Sequence, residues 1–163
     1  HVFYIQISKI KNNVLSLKLL KIVRKGHCFK RSLMKNLNPP GWKRPSGYSN
    51  GIAAEGRFVF VAGMVGWSAE EKFETGDFVE QFRKALQNTV AVLKEGNAKP
   101  EHICRMTMYF TDKREYLERL DEVGQAYRDV IGKNFPAMAA VQVVALMEDE
   151  AKVEIETTAI VPV

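Results

Sequence analysis

A chain of 163 residues has room for one ordinary domain, and its 46% apolar and 26% charged residues suit a globular protein able to bury a core. The formal charge of +5 points towards nucleic acid or an acidic membrane surface. Its location removes that reading. Eight of the 24 basic residues precede Met34 in a stretch without Asp or Glu, leaving 16 basic against 19 acidic residues, a net of −3, for the remainder.

The opening stretch, residues 1–33, reads as a basic leader outside the domain, which occupies residues 34–163. Lysines interrupt apolar pairs such as Val14-Leu15 and Leu19-Leu20, so nothing nears the roughly 18 apolar residues of a membrane span. A signal peptide needs an unbroken apolar run of about 7 to 15 residues and a small-residue cleavage site, and neither is present. Two readings remain. One is a translated segment upstream of Met34 as initiator, favoured because the chain opens on His1; the other is a mitochondrial transit peptide. The first implies the cytoplasm and the second the mitochondrial matrix. Cys28 and Cys104 lack C-x-x-C spacing, so free thiols are expected, with no zinc site or disulfide.

Asn38-Pro39-Pro40-Gly41 and Arg44-Pro45-Ser46-Gly47 carry turn signals leading into the domain. Ile52-Ala53-Ala54 and Arg57 to Gly63 predict two strands joined by a tight hairpin at Glu55-Gly56. The period then changes: Phe78, Phe82, Leu86, Val90 and Leu93 predict an amphipathic helix from Asp77 to Glu95, with Thr75 or Gly76 as cap and Gly96 as stop. Ile103 to Phe110 predicts a strand with neither face cleanly polar, hence covered on both sides. A second helix is expected from Asp112 to Gly132. Glu115 would close a capping box, with Tyr116, Leu120, Val123, Tyr127, Val130 and Ile131 turned inward. Met138 to Leu146 and Lys152 to Ile160 predict two more strands. The order β-β-(short β)-α-β-α-β-β implies an α+β fold with two helices against one mixed sheet.

Direct chemical signals are few. His102 stands beside Glu101 with no second ligand at metal spacing, so a surface histidine is the simpler reading and no metal or cofactor is implied. No nucleophile elbow or phosphate-binding loop occurs, and Gly63-Met64-Val65-Gly66-Trp67 leaves a strand without entering a helix, which suits a bulge or turn. Glu154 and Glu156 share a strand face; as a pair they fit either a solvated edge or a general base with its neighbour.

Several blocks together resemble the RidA/YjgF family, the reactive-intermediate deaminases. They are Gly47-Tyr48-Ser49-Asn50-Gly51, Phe58 to Gly63, the helix Gln81 to Gly96, Phe110 to Asp112, Phe135-Pro136-Ala137, and Lys152-Val153-Glu154-Ile155-Glu156. The resemblance runs from about Asn38 to Pro162. It implies a chorismate-mutase-like fold with a mixed six-stranded sheet, two helices on one face, and a homotrimer holding a small-molecule ligand in inter-subunit clefts. In active relatives such a cleft hydrolyses enamines or imines to a 2-keto acid and ammonia. Carried over by position, Tyr48 and Glu154 match catalytic residues and Gly63 matches a backbone contact to substrate. The arginine that clamps the substrate carboxylate falls on Met138, a serine falls on Ala62, and an asparagine of the second helix falls on Gly124.

These departures leave two readings: Met138 packs the pocket shut, or the pocket is rebuilt for a larger or less charged compound than the small 2-imino acids, with Met64, Trp67 and Met138 as apolar lining. A trimeric metabolite-binding protein without turnover is the alternative. An RNA-directed role, as ribonuclease or translation inhibitor, ranks last because phosphate binding needs a basic surface.

Overall fold

The computed structural model describes residues 34–163; the basic leader, with His27 and Cys28, lies outside them. Strands β1 (Met34–Leu37), β2 (Gly51–Ala54) and β3 (Arg57–Val65) precede the long helix α1 (Phe78–Glu95). A 3-10 turn at Pro100–His102 leads into β4 (Ile103–Phe110). Helices α2 (Lys113–Glu118) and α3 (Leu120–Val130) and strands β5 (Ala137–Gln142) and β6 (Val153–Val161) follow.

The α+β class stands, but the single six-stranded sheet does not. β3, β6, β4 and β5 form a four-stranded sheet in that order, parallel only between β4 and β5. β1 and β2 form a separate antiparallel pair, from Met34 opposite Ala54 to Leu37 opposite Gly51. β1 was not expected from the sequence, and it takes the place beside β2 that the hairpin reading had given to β3. The turn explains the difference. Gly56 has φ 151°, and a side chain there would run into the Val161 carbonyl, so the chain crosses at Gly56 onto β6 instead of folding back on β2.

α1 forms where its apolar period placed it, burying Phe78, Phe82, Ala85, Leu86 and Leu93 against the sheet. Its cap is Asp77, whose carboxylate accepts the Glu80 N–H at 3.0 Å, rather than Thr75 or Gly76. Thr75 instead supports the cap, its Oγ1 accepting the Asp77 N–H at 3.0 Å. At the far end Gly96 keeps φ −80°, and Asn97 takes the left-handed turn at φ 50°. Gly96 is needed for proximity, since a side chain there would stand 2.9 Å from Val59 Cγ1.

The second helix is broken in two at Arg119 (φ −121°, ψ 30°). Its guanidinium bonds Asp77 at 2.6 Å and Glu122 at 2.7 Å, tying the break to the start of α1. Glu115 does not close a capping box. It pairs with Lys152 Nζ at 2.5 Å, while Asp112 accepts the Arg114 N–H at 2.8 Å. Leu120, assigned inward, is half-exposed. β5 stops four residues short of Leu146: after the Val143 N–H bonds the Phe110 carbonyl at 2.8 Å the chain leaves the sheet, exposing Val144 and Met147.

Along β4, Met106, Met108 and Phe110 enter the core beneath the helices. Phe78 meets Phe110 edge-on at 5.6 Å, and Tyr116 stacks on Phe110 at 4.7 Å. The opposite face of the sheet carries no helix. There Phe58 and Phe60 stack at 5.8 Å with Phe60 74% exposed, and Arg105 is exposed on β4. The covering expected on both sides of β4 is therefore absent from one side of a single chain.

Candidate functional site

Met138 lies opposite Met106 in the β4–β5 register, so both side chains turn to the helix side. There Met138 lines a cavity of about 430 Å3 with Phe82, Tyr116, Gly124, Tyr127 and Phe135, to which Ser46 and Gly47 also contribute. Met138 is thus half-buried wall, and it does not fill the space.

The segment carrying Tyr48 is sewn to the strand that bears Met138. The Ser49 N–H bonds the Pro136 carbonyl at 2.9 Å, and Ser49 Oγ donates to the Phe135 carbonyl at 2.7 Å. Ser49 also bridges to Ala137. Gly47 reaches this turn with φ 78°, a conformation costly for other residues. Tyr48 itself is exposed and borders a cavity of about 720 Å3 shared with Arg44, Lys133 and Asn134. Tyr48, Gly124 and Met138 therefore gather around Phe135–Ala137.

Glu154 belongs to a different place. It lies opposite Tyr109 and Val65 on the helix-free face, in a shallow recess with Ala62, Gly63, Glu156 and Leu146. The register skips between Val61 and Met64, so Ala62 and Gly63 stand opposite the single residue Glu156 in a β-bulge. That bulge opens the room Glu154 uses, because the Glu154 carboxylate occupies the volume a side chain at position 63 would need. The bulge read from Gly63-Met64-Val65-Gly66-Trp67 is present. Its extra residue also turns Met64 to the core side, opposite Ile155, away from Glu154. Trp67 packs on Phe73 at 6.1 Å, and Asn88 holds the Val65 and Trp67 carbonyls at 2.9 Å each.

The six residues singled out from the sequence thus separate into Gly63 with Glu154, and Tyr48 with Met138; Met64 and Trp67 join neither group. From Ser49 beside β5 to Glu154 on β6 is three strand spacings across and four residues along, on the order of 20 Å. One chain cannot close both groups on one small molecule.

Tyr127, buried and donating to the Asn134 carbonyl at 2.7 Å, has its hydroxyl pushed far above the ordinary tyrosine value by burial. Burial likewise raises the Cys104 thiol, which suits it to packing and not to nucleophilic attack. Among the described residues no group of His, Cys, Asp or Glu could hold a metal ion, and no helix is long and apolar enough to cross a membrane. Sequence reasoning missed Ser49 and Tyr109, whose importance comes from a bridge across 86 residues and from a cross-strand register. Neither leaves a local signal.

The family model of Endoribonuclease L-PSP matches residues 42–161. A RutC family protein of Aquifex aeolicus is 34% identical over 129 residues, covering 78% of this chain and 99% of that protein. The human 2-iminobutanoate/2-iminopropanoate deaminase is 27% identical over 131 residues, covering 80% of this chain and 90% of its own. A Rid-family protein of unknown function from Yersinia pestis superposes with a TM-score of 0.70 at 27% identity, covering 79% of this chain and 99% of that one. With that model matched over residues 42–161 and a relative 34% identical over 78% of the chain, this chain belongs to the Endoribonuclease L-PSP family, that of the RutC and RidA proteins.

Proposed function

We propose that the protein is a deaminase-type hydrolase that releases ammonia from enamines, imines or related amino compounds, in a homotrimer whose active sites lie between subunits. The observation that carries this is the separation of Glu154 and Gly63 from Tyr48 and Met138, on opposite faces of one sheet. A site using both groups needs two chains, and the helix-free face with Phe58 and Phe60 offers an apolar surface for a neighbour. In the reaction, water adds to the imine carbon to give an amino alcohol. Collapse to the ketone then expels ammonia. Glu154 accepts a proton from the incoming water and returns one to the departing nitrogen, while Tyr48 orients the substrate.

Apolar Met138 disfavours the small 2-imino acids, because β5 then presents no charge to a carboxylate held close against it. The test is ammonia release by the full chain and by Met138→Arg, with 2-iminopropanoate and 2-iminobutanoate generated in place. We expect turnover of these two compounds only in the variant, and turnover of larger imines by the unaltered protein. Glu154→Ala protein that releases ammonia as fast as wild type would remove Glu154 from the mechanism. A second reading, metabolite binding without turnover, is favoured by Ala62, Gly124 and Met138, where polar groups are absent. Tight binding of a metabolite that is never converted would establish it.

A further inference from the structure

The cavity beside Met138 has one cation on its wall, Arg128, from the last turn of α3. Gly124, one turn earlier, leaves that guanidinium its space: a side chain at position 124 would begin 3.1 Å from Arg128 Nη1. Arg83 and Arg119 spend their charge on carboxylates at 2.8 and 2.6 Å. Arg128 has no ion pair among the described residues. Its guanidinium makes one hydrogen bond, to the neutral Gln125 Oε1 at 3.1 Å; the adjacent Asp129 feels its charge but bonds Arg83 and Gln125 instead. An exposed guanidinium outside any ion pair thus stands on the wall of a cavity whose lining includes Phe82, Met108, Tyr116, Phe135 and Met138, with Ser46 and Tyr127 beside them.

We propose that Arg128 binds the carboxylate of the substrate, and that Met138 and its apolar neighbours take a bulky hydrocarbon side chain. Resting on the deaminase reading, this names the substrate class as 2-imino or enamino acids with branched or aromatic side chains. The cation comes from helix α3, across the cavity from strand β5. Gly124 and Met138 then belong together: the small residue admits the guanidinium, and the thioether gives the hydrocarbon an apolar wall. A guanidinium can hold a carboxylate through two parallel bonds, which lysine cannot reproduce.

The probe is 4-methyl-2-oxopentanoate, a keto-acid product analogue, titrated calorimetrically into the full chain beside its uncharged amide and pyruvate. The acid should bind, with the amide and pyruvate both weaker. Arg128→Gln should weaken the acid about tenfold or more and leave the amide unchanged, and Arg128→Lys should recover only part of the loss. Equal affinity of Arg128→Gln and wild type for the acid would overturn the proposal, as would failure of the wild type to bind it. If acid binding needs Arg128 yet no imine yields ammonia, the deaminase reading falls and this assignment stands. If Arg128→Gln turns over a large imine with unchanged KM, the assignment falls and the deaminase reading stands.

Discussion

Asp77 serves two neighbours with one carboxylate: it accepts the Glu80 N–H at the start of α1 and pairs with Arg119 at the break between α2 and α3. The Arg119 guanidinium, and after it the Glu80 N–H, holds its acid below the ordinary aspartate value of 3.8. Asp77→Ala should cost about 1 kcal/mol of stability at neutral pH, most of it from the lost cap, because the ion pair is partly solvated. A carboxyl whose acidity is strengthened by folding contributes its stability above the unfolded value and loses it as pH falls through the lower folded one. The difference between wild type and variant should therefore persist down to pH 3.8 and shrink below it. Urea unfolding across that range checks this; a gap that stays constant would show that the carboxylate charge plays no part.

At the scale of elements, Gln81 joins α1 to the loop before β6. It is fully buried, with Nε2 donating to the Thr75 and Glu150 carbonyls at 2.9 Å each and Oε1 accepting the Lys152 N–H at 2.8 Å. Gln81→Leu keeps the volume but strands three backbone groups, so it should cost roughly 2 to 4 kcal/mol, read as a lower thermal midpoint. A variant as stable as wild type would mean that water replaces the amide. The elements themselves were largely legible. The apolar stripe from Phe78 to Leu93 marked α1, and Val153, Ile155, Thr157 and Ala159 marked the buried side of β6. The break at Arg119 was not legible, because apolar spacing continues across it and only the distant Asp77 carboxylate accounts for it. β1 was hidden for a related reason, since Met34–Leu37 gains strand character only from β2 beside it.

At the scale of the whole molecule, exposed Phe58 and Phe60 offer an apolar face to a partner, and the proposed active site draws on a second chain. Sedimentation should give a particle of three 18.5 kDa chains for the unaltered protein. Phe60→Glu should give a smaller species with unchanged secondary structure and no ammonia release, since a carboxylate cannot be buried unpaired at an apolar contact. A trimer that survives Phe60→Glu would move the interface elsewhere. The candidate residues could be named from the sequence, but their division into two groups could not. Gly63 and Glu154 are 91 positions apart in sequence and meet in the fold, whereas Tyr48 and Glu154, from two blocks of the family pattern, stand far apart. Only the strand order separates these cases.

That strand order also sets when the protein can fold during its synthesis. β6, made after both β3 and β4, lies between them and is the neighbour both depend on. Until residues 153–161 emerge, β3 and β4 each present a bare edge with apolar side chains, the kind of surface that pairs with other chains. A ribosome stalled shortly before Val153 would therefore hold the helices with β3 unpaired and β4 joined only to β5. Such a nascent chain is a natural client for chaperones, and the sheet closes only when its middle is delivered at the end.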